Sequence, residues 1–276
     1  MHDFAGKVVV ITGAGAGMGR AYAKAFAARG AHLALNDLNA QQLAQTISEL
    51  PPASVVIAHA FDVSDAAKMQ RFAEAVKSQL GNAYVLINNA GVGGAGKPIW
   101  MLDAADFARN LNINFYGVVN GTQAFLEQLL SQPKAALVNV SSIFGLVGTP
   151  SSADYCAAKF AVRGFTEALM VELADSNVQV HLLHPGGVNT QIAQHTEGGE
   201  AFSQTFLKTA PEAIAQTLIN SLKSGKPRIV TGHQGFRVWL FSWLLPLKWR
   251  TALLNRVFRR LRNAEHYQML KKTRPV

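Results

Sequence analysis

A glycine-rich segment near the start of the chain combines residue types that can bind a pyrophosphate. Residues 12–19 read T-G-A-G-A-G-M-G and follow an apolar run that predicts a strand. Glycine lets a backbone approach phosphates closely, and a helix that begins there offers its free N–H groups and its dipole to the anion. The spacing G-x-G-x-x-G does not fit, because its third glycine would fall on Met18, whereas T-G-x-x-x-G-x-G fits with Gly13, Gly17 and Gly19.

Asp37 follows the second apolar run and lies 18 residues after Gly19. A carboxylate near this offset can accept hydrogen bonds from both hydroxyls of an adenosine ribose, and it would repel a 2′-phosphate. Neither residue 38 nor residue 39 is basic, and the nearest cation, Arg20, lies at the start of the predicted first helix. We therefore expect NAD as the cofactor, with NADP less favoured. A solvated turn aspartate is the alternative interpretation.

Short apolar runs alternate with longer helical patterns along residues 7–232, and these elements must position the glycine loop and Asp37. The runs are apolar throughout, which is typical of parallel strands covered by helices on both faces. We predict one doubly wound α/β sheet whose ligands bind at the carboxyl ends of the strands. Strands are predicted at 7–12, 31–35, 54–60, 84–87, 136–140, 178–183 and 228–231, and helices at 19–29, 40–50, 65–80, 103–131, 154–176 and 211–224.

The composition is typical of a folded protein from a reducing compartment. Of 276 residues, 49% are hydrophobic and 16% are charged, which excludes a disordered chain. The chain has one cysteine, Cys156, so no intramolecular disulfide can form, and no Cys/His spacing suggests a metal site. We see no pattern of a secretory signal and no uncharged apolar run of roughly 18 residues, the length of a membrane span. We expect a cytoplasmic protein without a bound metal.

Charge divides the chain into two parts. Residues 233–276 contain ten of the 26 Lys and Arg residues but only one of the 17 acids, so the net charge of +9 lies in this tail and residues 1–232 are balanced. The tail also contains three of the four Trp residues. We predict a dinucleotide-binding domain over 1–232 and a basic, Trp-rich, amphipathic and helical extension over 233–276.

From Asn88 onward the chain resembles the short-chain dehydrogenase/reductase family, and the resemblance covers most of residues 5–232. A Y-x-x-x-K pattern alone carries little information, but seven motifs in family order are specific. The resemblance implies a Rossmann-type fold, an NAD(H)-dependent oxidoreductase with residues 1–232 as its catalytic domain, and assembly into homo-dimers or homo-tetramers. The motifs are T-G-x-x-x-G-x-G at 12–19, D-V at 62–63, N-N-A-G at 88–91, N-F-Y-G at 114–117, N-V-S-S at 139–142, Y-C-A-A-K at 155–159 and P-G at 185–186 with Thr190.

The family motifs assign cofactor contacts to particular residues. By resemblance, Asp62 contacts the adenine amino group and Val63 packs nearby, although Asp62 could instead cap the following helix. The turn after the fourth strand closes against the cofactor. The segment after the sixth strand covers the nicotinamide, where Thr190 holds the carboxamide. The remaining cofactor residues implied by the motifs are Asn89, Ala90, Gly91, Pro185, Gly186 and Val188, together with Tyr155 and Lys159.

Tyr155 is the candidate acid/base for interconverting a secondary alcohol and a ketone, because hydride transfer to a carbonyl leaves negative charge on oxygen. Free tyrosine titrates near pH ~10, and Lys159, at i+4 on the same helical face, is expected to lower the pKa of the phenol. Ser142 would hydrogen-bond the substrate oxygen, since strand alternation should point Ser141 away. By resemblance, Asn114 holds a water on the path from the lysine to solvent. A hydrogen-bonded helix asparagine is the alternative.

Three segments should face the substrate, at 92–101, 143–151 and 187–209. They contain no Arg, and their only lysines are Lys97 and Lys208, which disfavours a carboxylate or phosphate substrate. We expect a bulky hydrophobic alcohol or ketone, similar to a steroid, retinoid, lipid or aryl compound, although the aromatic residues could simply pack a lid. The predicted substrate residues are Trp100, Ile143, Phe144, Val147, Phe202 and Phe206.

The tail has the pattern of an interfacial segment. Residues 236–247 are almost wholly apolar, and a helix is predicted after Pro246 whose apolar stripe, with Leu254 and Leu261, is flanked by Lys and Arg. This basic amphipathic pattern favours peripheral membrane contact through residues 236–262. A contact between subunits, or folding back over the active site, would use the same pattern. Nucleic acid is not expected, because residues 1–232 offer no excess of basic charge to extend the patch.

Two alternative functions stay open at this point. An NAD(H)-binding regulatory protein that signals through its basic tail would also keep the cofactor motifs. The complete set of Asn114, Ser142, Tyr155 and Lys159 favours an enzyme over such a sensor. The other alternative is the same chemistry with NADP(H).

Overall fold

The fold is built on one sheet of seven parallel strands, as found in a computed structural model that describes residues 4–259 and 262–268. The strands are β1 Val8–Thr12, β2 His32–Asp37, β3 Val56–Ala60, β4 Val85–Asn88, β5 Ala135–Val140, β6 Val178–Pro185 and β7 Arg228–Thr231. They lie in the order β3-β2-β1-β4-β5-β6-β7 and every neighbouring pair is parallel, which confirms the predicted sheet. The strand order reverses between β1 and β4, so a ligand-binding crevice is expected there.

Ten α-helices in the described part of the chain connect and follow the strands. They are α1 Gly17–Ala27, α2 Ala40–Ser48, α3 Ala66–Leu80, α4 Ala104–Leu111, α5 Gly117–Leu130, α6 Ala153–Glu172, α7 Gly199–Phe206, α8 Pro211–Ser224, α9 Gly235–Leu244 and α10 Leu247–Phe258. The single helix predicted over 103–131 is two helices, because a π-helical turn at Asn112–Tyr116 separates α4 from α5. The predicted substrate segment 187–209 contains helix α7 and a short 3-10 turn.

Helices bury both faces of the sheet, which explains why its strands are apolar throughout. On one face, Val9 and Ile11 of β1 share a core with α1 and α8, where Tyr22 of α1 is fully buried. On the other face, Val10 packs in a second core with α3 and α5, which includes Phe72. Successive residues of β1 thus point into opposite cores, as the pleat requires.

The helical extension that was predicted after the last strand is present. Helices α9 and α10 follow β7 and are separated at Pro246, whose ring and missing N–H interrupt a helix. A 3-10 turn at Glu265–Tyr267 comes next. Leu261 of the predicted apolar stripe, and Arg260 of the basic residues predicted beside it, lie outside the described residues. Among the helices that are described, none combines the length and the apolar character needed to cross a membrane.

A buried polar network fixes the central strands against α6. The Asn88 side chain donates to Asn139 Oδ1 over 2.9 Å, and Asn139 Nδ2 donates to Thr166 Oγ1 over 3.1 Å. All three side chains are buried, where an unpaired amide would cost more than a paired one contributes. The network therefore holds the carboxyl ends of β4 and β5, from which Asn89 and Ser142 follow.

Thr166→Val should lower the free energy of unfolding by about 1–3 kcal/mol, because the buried Asn139 amide loses its acceptor. Thr217→Val is the matched control, since the Thr217 hydroxyl also bonds the backbone carbonyl four residues earlier, over 2.8 Å, but at an exposed site. Urea unfolding of both variants measures the difference. Equal losses in the two variants would contradict a special role for the network.

Candidate active site

The glycine loop forms an open cradle between β1 and α1. Gly13 and Gly17 have positive φ angles of 65° and 50°, which other residues rarely adopt. A Cβ on Gly19 would overlap the carbonyl oxygen of Gly13, so this position requires glycine as well. Ala16 precedes α1 without a side-chain cap, which leaves the first N–H groups of the helix available to an anion. The loop therefore fits a pyrophosphate.

Thr12 ties the glycine loop to the turn after β4. Its hydroxyl oxygen accepts hydrogen bonds from the backbone N–H groups of Asn89 and Ala90, each over 3.0 Å. The Asn89 side chain returns a bond to the Thr12 carbonyl over 2.9 Å. Thr12 was not among the predicted site residues, although the leading threonine of T-G-x-x-x-G-x-G was the available signal. Residues 89–91 are thereby held beside the cradle.

Asp37, at the end of β2, lies directly against the glycine loop. Its Oδ2 accepts from the Gly15 N–H and its Oδ1 from the Asn39 N–H, both over 2.8 Å. Arg20 donates to the Gly15 carbonyl and forms an ion pair with Glu49 over 3.2 Å. Arg20, the nearest cation to Asp37 in the sequence, therefore already has other partners. A carboxylate has lone pairs left to accept further bonds, as ribose recognition would require.

The structure separates the two interpretations of Asp62. Helix α3 is capped by Asp65, whose side chain accepts from the Lys68 N–H over 2.9 Å. Asp62 instead accepts from the N–H and the hydroxyl of Ser64, over 2.9 and 2.8 Å. Val63 is buried in the second core. Asp62 is thus free of the capping role, and its contact with adenine stays a prediction.

The candidate catalytic side chains meet in the wall of one large cavity. Ser142, Tyr155 and Lys159 line it together with Met18, Asn89 and Gly91. Ser141 donates to the Lys159 carbonyl over 2.8 Å, so its hydroxyl is engaged in a buried bond. Ser142 carries the second hydroxyl, and its Oγ accepts from the Phe144 N–H over 3.1 Å. The segment after β6 borders the same cavity with Pro185, Gly186, Val188 and Thr190.

Burial shifts the pKa values of Tyr155 and Lys159 in opposite directions. Burial raises the pKa of Tyr155 to about 12, although a hydrogen bond with Ser142 lowers this pKa in part. Burial lowers the pKa of Lys159 to about 8. The net shift of the Tyr155 pKa is therefore upward and not the lowering that the sequence predicted, because burial removes water from a phenolate, and Lys159 Nζ lies 5.6 Å from the ring centre. Near neutral pH, a phenol therefore stands beside an ammonium group, which donates to the Val140 carbonyl over 3.1 Å.

Asn114 sits in the π-helical turn, a deviation that often marks a functional site. Its amide donates to the Val92 carbonyl over 2.9 Å and its Oδ1 accepts from the Val92 N–H over 3.1 Å. A Cβ built on Gly91 would lie 2.5 Å from Asn114 Oδ1 and 3.4 Å from Lys159 Nζ, so the asparagine and the lysine approach the same point. Asn114 is well bonded, and its part in a proton relay stays a prediction.

Five of the six predicted substrate residues line the cavity, which has a volume of about 610 Å³. They form an aromatic and aliphatic wall next to the phenol, with the rings of Phe144 and Tyr155 6.2 Å apart and those of Phe144 and Phe202 6.0 Å apart. The five residues are Ile143, Phe144, Val147, Phe202 and Phe206.

Trp100 is the exception and does not belong to the cavity wall. Its Nε1 donates to the His266 carbonyl over 3.2 Å, and its ring packs edge-on against Tyr267 at 5.3 Å. Trp100 therefore holds the C-terminal extension and not a ligand. The sequence prediction failed because the partner lies 166 residues away along the chain.

The C-terminal extension folds back over the active site. Phe258 of α10 packs on Phe206 at 5.5 Å and on Phe144 at 6.3 Å, and Leu254 also lines the cavity. A second contact joins the extension to the segment after β6, where the His266 ring forms a pair with Glu197 over 3.2 Å. Folding back over the active site was one of the three interpretations of the tail that the sequence allowed.

The folded-back extension corrects one argument about the substrate. The three predicted substrate segments contain no arginine, which argued against a carboxylate or phosphate on the substrate. However, Arg237 and Arg262 of the extension also line the cavity. The Nε of Arg262 is buried without a hydrogen-bond partner among the described residues. The cavity is therefore mainly apolar but contains cationic groups on the side of the extension.

Two buried polar side chains outside the motifs support the site. Asp154 accepts from the Ala95 N–H over 2.9 Å and thereby holds the loop above Tyr155. The ring of His184 lies 2.8 Å from the Ser142 carbonyl oxygen, and burial lowers its pKa to about 4, so the neutral ring can donate there. Neither residue had a sequence signal beyond its place next to a motif.

A glycine cradle, a carboxylate at the end of β2 and a Ser-Tyr-Lys group at one edge of a doubly wound sheet define a dinucleotide-dependent oxidoreductase. Residues 7–201 match the family model described as short chain dehydrogenase. The chain belongs to the short-chain dehydrogenase/reductase family. This confirms the resemblance found in the sequence.

Three comparisons show the breadth of the similarity. SadH of Mycobacterium tuberculosis, which is named as an oxidoreductase, is 37% identical over 244 residues, covering 84% of this chain and 88% of that protein. A 3-alpha-(or 20-beta)-hydroxysteroid dehydrogenase of the same species is 31% identical over 230 residues, covering 83% and 86%. A short-chain dehydrogenase/reductase from Burkholderia phymatum, solved in complex with NAD, is 29% identical with a TM-score of 0.79, covering 100% and 99%. Solved neighbours contain NAD or an NADP derivative.

Thr12→Val should weaken NADH binding by about tenfold, because the N–H groups of Asn89 and Ala90 lose their shared acceptor and the turn loses its position. Thr12→Ser keeps the hydroxyl and should bind NADH nearly as the parent does. Titration of NADH fluorescence measures both affinities. A folded Thr12→Val variant that binds NADH as tightly as the parent would show that the hydroxyl does not position this site.

Proposed function

We propose that this protein is an NAD(H)-dependent oxidoreductase that interconverts a bulky, mainly hydrophobic secondary alcohol and its ketone. The observation that carries this proposal is the cavity of about 610 Å³, which joins the Ser142, Tyr155 and Lys159 side chains to a wall of aromatic and aliphatic residues. Apolar surface of this kind stabilises a substrate by removing its hydrocarbon from water. The steroid named for one relative is consistent with this class of substrate.

The residues at the cofactor site fit NAD. The three glycines leave the space that a pyrophosphate needs, and Asp37 stands where the ribose hydroxyls would be recognised. Arg20 already forms an ion pair with Glu49, and the carboxylate of Asp37 would repel a 2′-phosphate, which supports NAD over NADP. Bound NAD supplies the hydride acceptor of the reaction, and its reduced form supplies the hydride donor.

The side chains of this chain would handle the proton and the charge on oxygen. In ketone reduction, the Tyr155 hydroxyl donates its proton to the carbonyl oxygen as negative charge develops there. Ser142 donates a second hydrogen bond to the same oxygen. The Lys159 ammonium stabilises the phenolate that remains, and Asn114 supports the return of a proton towards that lysine. Alcohol oxidation runs the same steps in reverse.

We further propose a homo-dimer or homo-tetramer and peripheral membrane contact through residues 236–262. Exposed apolar side chains on the π-helical turn, α5 and α6 support a subunit contact there, among them Tyr116, Leu130, Phe160 and Val171. The rival function, a sensor that binds NAD(H) without turnover, is disfavoured because the catalytic side chains and a large apolar cavity occur together. A sensor has no need for that combination.

Tyr155→Phe should lower kcat for ketone reduction by at least about a hundredfold, because it removes the only proposed proton donor and leaves the ring in place. NADH affinity, measured by fluorescence, should stay within a few fold of the parent. Initial rates at saturating NADH test this. Turnover within a few fold of the parent would overturn the assigned role of Tyr155.

The rate of ketone reduction should be constant below pH 8 and should fall above pH 8. The pKa of Lys159 is lowered to about 8, so its ammonium loses its proton over this range, whereas the pKa of Tyr155, about 12, keeps the phenol protonated. The fall should approach about tenfold per pH unit if the neutral amine is inactive. A pH profile of kcat/KM measures this. A flat profile up to pH 10 would contradict the role given to the ammonium.

A further inference from the structure

Helices α9 and α10 carry several large apolar side chains that are exposed to solvent. Trp243, Leu247 and Trp249 are 62%, 67% and 70% exposed, and Phe236 and Leu244 lie exposed beside them in the chain. Single exposed apolar residues are ordinary, but several aromatic and aliphatic residues on one short helical pair mark an interaction surface. We refer to these five residues as the apolar face.

Unpaired cations accompany the apolar face. Lys248, Arg256 and Arg259 have no ion pair with a carboxylate in the described part of the chain. The sequence contains no acid at all between residues 233 and 264. Trp side chains together with Lys and Arg on a short amphipathic helix are the composition of a segment that lies in the headgroup region of an anionic bilayer.

A second copy of this chain fits the surface less well. In a two-fold symmetric contact, the same patch faces itself, so the cations of α9 and α10 would be brought against their own copies. No acid within residues 233–264 could compensate for that repulsion. The phosphate groups of an anionic membrane supply the missing negative charge.

The same two helices form a wall of the cavity. Leu254 and Phe258 line it from α10. Phe241, Leu253 and Val257 line the cavity and are also exposed at the surface of the protein. They are the only large apolar residues in the described part of the chain that do both. These three side chains therefore belong both to the cavity wall and to the exposed surface of α9 and α10.

We propose that the apolar face docks on an anionic phospholipid bilayer and that α9 and α10 admit a bilayer-dissolved alcohol or ketone to the cavity. The second half of this inference rests on the proposed oxidoreductase function. The segment lies on the membrane surface, with its cations at the phosphates and its tryptophans below them. The substrate therefore leaves the bilayer directly into the cavity without crossing water.

Co-sedimentation with vesicles tests the docking. The full chain should sediment with vesicles of phosphatidylcholine and phosphatidylglycerol, and binding should fall by at least about tenfold for pure phosphatidylcholine or at high salt. The double variant Trp243→Ser/Trp249→Ser should lose binding to a similar extent, whereas Val55→Ser, which removes an exposed apolar side chain far along the chain, should bind as the parent does. Failure of the parent to sediment, or a double variant that changes only the oligomeric mass, would overturn the proposal.

NADH oxidation separates the docking from the chemistry. A long-chain methyl ketone is supplied within anionic vesicles, and a short-chain methyl ketone is supplied in buffer. The double variant should lose at least about tenfold in rate with the vesicle-borne ketone and keep the parent rate with the water-soluble one. Equal rates of parent and double variant on the vesicle-borne ketone would overturn delivery from the bilayer. No turnover of either ketone by the parent would instead count against the proposed oxidoreductase function, and the vesicle result would still decide the docking.

Discussion

The active site depends on one contact at the point where the strand order of the sheet reverses. There the Thr12 hydroxyl accepts the backbone N–H groups of Asn89 and Ala90, which joins the end of β1 to the turn after β4. Because both strands are buried and parallel, their carboxyl ends lie at the same edge of the sheet. One crevice therefore has the glycine cradle on one side and the group of Ser142, Tyr155 and Lys159 on the other.

The C-terminal extension completes the wall of the cavity at the edge of the sheet. The sheet edge supplies the reacting groups but leaves the substrate side open, and α10 closes it by placing Phe258 against Phe144 and Phe206. Trp100, Ser151 and Glu197 hold the following turn through Tyr267 and His266, so three separate loops are fixed by one segment. A chain ending at β7 would lack the residues of α9 and α10 that line the cavity.

Local sequence patterns predicted those features of the structure that depend on residues close together in the chain. Apolar runs predicted the parallel sheet, and the i,i+4 spacing of Tyr155 and Lys159 predicted that both lie on one helical face. Features that depend on long-range contacts could not be predicted from such patterns. The partner of Trp100 and the arginines in the cavity depend on how a distant segment folds back. Burial raises the pKa of Tyr155, and no spacing of residues reveals burial, so the net lowering predicted from the sequence does not occur.

We propose that this protein reduces bulky apolar ketones with NADH. The initial rate of NADH oxidation, measured over ketones graded from small and polar to bulky and apolar and repeated with NADPH, tests this proposal. If the proposal holds, kcat/KM rises with apolar bulk and is higher with NADH than with NADPH. A preference for small polar ketones, or silence across the whole series despite measurable NADH binding, would contradict it.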